Sequence, residues 1–110
     1  MRAHSYTAAV DIETFEASLA AAAPPPGLTP ALVGLWHALR GEWDPAHDAV
    51  QPDDPACSWV HAALHREEGD LGNAGYWYRL AGRRMARGAL RDEYRAIAVE
   101  LLGSSTDRVG

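Results

Sequence analysis

Two histidines four residues apart, His61 and His65, are followed three residues later by Glu68. On a helix turning about 100° per residue, the three stand at relative angles of about 0°, 40° and −20°, so they share one side. Trp59, Val60, Ala63 and Leu64 form another side. Two imidazoles and a carboxylate at this spacing can supply three ligands to zinc or a similar divalent ion, and Glu68 can serve as ligand or as general base. The zincin motif is a different pattern, because there the Glu directly follows the first His. The plainer reading has His61 and His65 hydrogen-bonding neighbouring helices. Glu68 is then solvated at the helix end, with Arg66 or Arg79 offsetting an unfavourable helix dipole. His37 and His47 are the candidates to join the group. His37 lies about 140° from Leu32 around its helix, away from the apolar stripe, and His47 sits in a segment that Asp44 is expected to cap.

A second group is Tyr76, Arg79 and Arg83, spaced three and four apart. A phenol beside two planar guanidinium forks suits a carboxylate or phosphate, and equally an ordinary solvated face with a cation–π contact. Arg84, Arg87, Arg91 and Arg95 extend the strip; its expected partners are the acids of residues 42–54 or of the arginines' own helices. Cys57 and Ser58 precede His61 without any sign of activation, and Cys57 reads as a small buried hydrophobe. No glycine-rich phosphate loop, nucleophile elbow or Cys-x-x-Cys pair is present in the sequence.

Proline and glycine divide the chain into intervals that read as helices. Residues 7–22 carry Ile12, Phe15 and Leu19 on one face, and Pro24-Pro25-Pro26-Gly27 predicts a stiff connector over 24–29. Thr29-Pro30, Asp44-Pro45 and Asp54-Pro55 each pair a capping residue with a proline suited to the first helical position. They predict helices ending at Gly41, near Gln51 and at Gly69. A longer helix follows with Leu71, Ala74, Trp77, Tyr78, Ala81 and Met85 on its packed side, and residues 89–102 close the fold. No stretch alternates with period two. The expectation is an all-α, compact array of five or six helices within one domain over 1–103, with residues 104–110 a disordered tail.

Gly41-Glu-Trp-Asp-Pro-Ala46 aligns with Gly69-Asp-Leu-Gly-Asn-Ala74 at an offset of 28 residues. Both hexapeptides resemble the turn of a tetratricopeptide repeat, where a glycine allows the tight interhelical turn and a small alanine lets two helices approach. In the second copy, Tyr78 and Ala81 fit later positions of that pattern; the first copy has Val50 and Asp53 there. The resemblance implies two shortened, degenerate helical hairpins over 30–86, flanked by terminal helices, with a side groove for a partner. The run from Gly41 to Arg79 also resembles a group of small bacterial proteins of about this length, a likeness that implies no particular reaction.

Composition limits the function classes. With 47% hydrophobic residues the chain can bury enough surface to offset ordering entropy. A single cysteine forms no internal disulfide, acids interrupt the first 23 residues, and no run approaches the roughly 18 apolar residues of a membrane span. A cytoplasmic protein without a membrane anchor is therefore expected. Residues 1–78 carry a net charge of −8, and the whole chain −5, which argues against nucleic acid as a partner. The leading expectation is an interaction module that uses no cofactor. It would bind a protein, a peptide or a small anionic ligand, or self-associate, through His37, His47, His61, His65 and Glu68 or through Tyr76, Arg79 and Arg83. The alternative is a metal-dependent enzyme, a hydrolase, holding a divalent ion on His61, His65 and Glu68.

Overall fold

Helix starts in this chain are set by short side chains that accept the free backbone donors of a first turn. In the computed structural model, which describes residues 10–107, Asp11 accepts from Thr14 N at 2.8 Å and opens α1, Ile12–Ser18. Thr29 accepts from Leu32 N and opens α2, Pro30–Leu39. Asp54 accepts from Cys57 N at 2.8 Å and opens α4, Pro55–Glu67. Asp70 accepts from Asn73 N and opens α5, Leu71–Ala81. Between them lies α3, Trp43–Ala49, and α6, Leu90–Asp107, closes the order. The fold is all-α with six helices and no strand among the described residues.

Three helices end alike. Gly41, Gly69 and Gly82 take positive φ of 79°, 86° and 72°. The residue after each glycine donates back to a carbonyl five residues earlier, as Glu42 does to His37, Asp70 to His65 and Arg83 to Tyr78. That is the Schellman closure, which glycine enters without a Cβ clash.

Several boundaries differ from the sequence reading, each for a local reason. Asp44 does not cap α3: the helix begins at Trp43, with Glu42 at the N-cap making no side-chain bond, so Pro45 falls at the third position. Proline is tolerated there because the first-turn donors have no intrahelical acceptor in any case. The first helix stops at Ser18 instead of 22, with Arg40 Nη1 donating to the carbonyls of Leu19 and Ala21 at 2.7 and 2.9 Å; residues 7–9 of that expected helix lie outside the described residues. The fifth helix ends at Gly82, short of Met85 and residue 86, because the left-handed glycine closes it first. Leu71 and Met85, expected on its packed side, are exposed. At the other end α6 continues through Gly103 to Asp107, so the expected tail from 104 is helical as far as that residue, and 108–110 lie outside the described residues.

The core is built by α2, α4 and α6, with Leu35, Trp36, Val60, Leu64 and Ile97 essentially fully buried and Phe15 of α1 inserted among them. Ala62, Ala74 and Tyr78 form a smaller cluster where α5 lies on α4. Gly34 lets α3 approach α2: a methyl built on it overlaps Val50 Cγ1 and stands 3.3 Å from the Ala46 carbonyl oxygen. One buried carboxylate ties three helices, since Glu93 of α6 accepts from Arg66 Nε of α4 at 2.9 Å and from the Tyr78 hydroxyl of α5.

Two changes test this account. Gly34→Ala is expected to lower unfolding stability by about 1–3 kcal/mol through overpacking against α3. Glu93→Ala is expected to cost about 3–5 kcal/mol, because it takes the carboxylate from the Tyr78 hydroxyl and from the largely buried Arg66, whose guanidinium keeps only the Gly88 carbonyl. Denaturant melts of both variants check the order, and a neutral Gly34→Ala would remove the close-approach explanation.

Candidate metal centre

The close seating of α3 on α2 carries His47 towards α4, where His61 and His65 lie one turn apart. The rings of His47 and His61 are 4.5 Å apart edge-to-face, those of His47 and His65 5.4 Å, and those of His61 and His65 5.0 Å. One ring nitrogen from each of the three residues lies within 4.8 Å of the others. Nitrogens bound at 2.0–2.1 Å around a tetrahedral ion stand roughly 3.3 Å apart, so modest ring rotations close the set.

Each imidazole has its own neighbour holding it. Trp43, one turn before His47 on α3, stacks on it at 4.7 Å with planes 10° apart, and its indole donates to the Leu64 carbonyl at 2.8 Å. Trp77 of α5 stacks on His61 at 3.9 Å and 5°. His65 Nδ1 lies 2.9 Å from Glu68 Oε2. His61 and His65 are buried, and His47 is half-buried.

His61 is the anomaly. Its Nδ1 is buried with no hydrogen-bond partner, although a buried polar atom ordinarily has one. Burial pushes its pKa down to about 4, with His47 and then His65 adding to the effect and the Val50 backbone carbonyl opposing it. The ring is therefore neutral at pH 7, the state in which imidazole binds a metal.

The expected site residues divide clearly. His47, His61 and His65 converge, and Glu68 contacts the group through His65. A second arrangement joins His65 with the exposed Glu68 and Asp70. His37 stands apart: its Nδ1 pairs with Glu42 at 2.8 Å and its ring meets Trp36 edge-on. Arg83 does not extend the column of Tyr76 and Arg79, because α5 has ended before it. Its guanidinium lies over Trp59 at 3.7 Å and is ion-paired with Glu100. Tyr76 is exposed and meets Trp77 edge-on, and Arg79 is exposed. Among the described residues the ion pairs of the basic strip go elsewhere than to residues 42–54: Arg95 bonds Glu16 at 2.7 Å and Arg83 bonds Glu100. Cys57 is buried, and its thiol is pushed up to about 12 by burial and by Asp54, so it is no nucleophile at neutral pH.

Sequence reasoning missed Trp43 and Trp77 as members of the site. The spacing Trp43 to His47 is a one-turn signal that was available. Nothing local links Trp77 to His61, which belong to different helices. No family model, curated protein or solved structure matches the chain.

The depressed His61 value has a measurable consequence. The unfolded chain takes up a proton on this histidine near pH 6.5, whereas the folded protein does so only near 4. Metal-free protein should thus lose stability as pH falls from about 6.5 to about 4, and the dependence attributable to this group should level off below that. Melts across this range are expected to show a shallower slope in His61→Leu, and an identical slope would contradict the assignment.

Proposed function

We propose that the chain binds a transition-metal ion through His47, His61 and His65. The observation that carries this reading is the convergence of three ligating nitrogens around a buried His61 whose Nδ1 has no partner. An all-imidazole set favours borderline ions such as zinc, copper or nickel over the oxygen-seeking magnesium and calcium. Three protein ligands leave a tetrahedral ion one open position, the arrangement of catalytic more than of structural sites. An ion held there would lower the pKa of a bound water towards neutrality, the chemistry of metal-assisted hydrolysis. On this reading the protein side contributes three imidazole ligands and two indoles, Trp43 and Trp77, stacked on two of them.

A second reading, a helical interaction module, draws on different features. The pairs α2–α3 and α4–α5 each turn at a positive-φ glycine, and each is followed by a fully buried alanine, Ala46 or Ala74. Val50 and Tyr78, 28 positions apart, are both buried as well. This internal correspondence supports the tetratricopeptide-like resemblance. Leu71, Tyr76 and Leu80 of α5 are about half exposed and offer surface to a protein or peptide, with Arg79 beside Tyr76 for an anionic group. The lone cysteine suits the cytoplasm, and no described helix is long and apolar enough to cross a membrane.

The deciding measurement is elemental analysis of tag-free protein prepared without chelator, followed by titration with zinc and cobalt. About one equivalent per chain is expected in the parent and in His37→Ala, and none in His61→Ala/His65→Ala. Equal metal content in the double variant would remove the three-histidine site and leave the interaction reading.

A further inference from the structure

Of the three residues that hold the imidazoles, two are indoles and one is a carboxylate, and the carboxylate has a chemical consequence the indoles lack. A neutral imidazole carries its proton on one nitrogen and its lone pair on the other, and the hydrogen bond made by one nitrogen decides which. Glu68 Oε2 lies 2.9 Å from His65 Nδ1. A carboxylate accepts, so the proton belongs on Nδ1 and the lone pair on Nε2. At Nε2 the one hydrogen-bond partner among the described residues is Asn73 Nδ2, a donor at 3.5 Å, and a bond that long is weak. That lone pair is therefore engaged only by this long contact, which an ion could displace.

We infer that Glu68 is a positioning residue for the metal centre: it holds His65 as the Nδ1–H tautomer and thereby presents Nε2 to an ion shared with His47 and His61. This rests on the three-histidine reading above. It assigns Glu68 a place behind a ligand, differing from the ligand or general-base role suggested by the spacing His61, His65, Glu68. Asp70 is less suited to the same task, because its Oδ1 accepts from Asn73 N at the start of α5. The Glu68 side chain is 39% exposed, so truncating it opens no cavity in the core. Carboxylates behind metal-bound histidines fix ring orientation and raise ligand basicity, and their loss typically weakens metal binding about 10–100-fold.

The test compares the parent with Glu68→Ala and Glu68→Gln by zinc titration and by ¹⁵N-resolved spectra of the histidine rings at pH 8, without and with zinc. The parent is expected to show protonated Nδ1 on His65 before zinc is added. Glu68→Ala is expected to bind about 10–100-fold more weakly and to mix the two tautomers, while keeping the melting profile of the metal-free parent. Glu68→Gln, whose amide oxygen still accepts from Nδ1–H, should recover most of the affinity. Three results overturn the inference while leaving the histidine site intact: Glu68→Ala binding zinc like the parent, His65 carrying its proton on Nε2 in the parent, or Glu68→Gln as weak as Glu68→Ala. Failure of the parent itself to bind zinc overturns the three-histidine reading and this inference with it.

Discussion

Where α2 passes α3 at Gly34, Val50 and the Ala46 carbonyl occupy the space that a side chain would need. The three-residue link from the end of α2 to the start of α3 turns through Gly41 with positive φ, and α3 is only seven residues long. Its direction is thus set by contact with α2 more than by its own helical stability, since helices this short are marginal alone. That contact decides where His47 goes. With α3 displaced outward by a bulkier residue at position 34, its ring would leave the partners it meets on α4.

Bringing three imidazoles together in a partly dry space has a cost, visible in the neutral state forced on His61 and in its unpartnered Nδ1. Flat contact with Trp77 and the Trp43 stack on His47 offset part of it through dispersion. The rest of the molecule is arranged to hold α4 steady. Its apolar side faces α2 and α6, and Arg66 joins it to the buried Glu93 of α6. Tyr78 donates to the same carboxylate, so α5, which carries Trp77 to His61, is tied in through that one group. A change at Glu93 and a change at Gly34 therefore reach the histidines by separate routes, one through α4 and α5 and the other through α3.

The helices themselves were largely legible. Thr29-Pro30 and Asp54-Pro55 announced their starts, and Gly41 and Gly69 their ends, because capping and left-handed closure are local events. Asp44-Pro45 looked the same and was not, since the turn after Gly41 let α3 begin two residues sooner. Gly82 carried the same stop signal as Gly41, yet periodicity through Met85 outweighed it in the sequence reading. His61, His65 and Glu68 were recognisable as one face of one helix from their spacing. His47 and His37 were indistinguishable as further candidates, because each is a polar residue on another helix.

The sequence by itself determined the fold class, the bounds of α2 and α4 and the shared face of His61, His65 and Glu68, since these depend on contacts within one or two helical turns. Tertiary structure decided that His47 joins that face, that His37 pairs instead with Glu42, and that Trp43 and Trp77 wall the group. It also turned Arg83 away to Trp59 and Glu100. These outcomes depend on the angle and distance between packed helices, which come from interlocking side-chain shapes such as Val50 against Gly34. Such shapes interlock between residues far apart in the chain, and no local period records them.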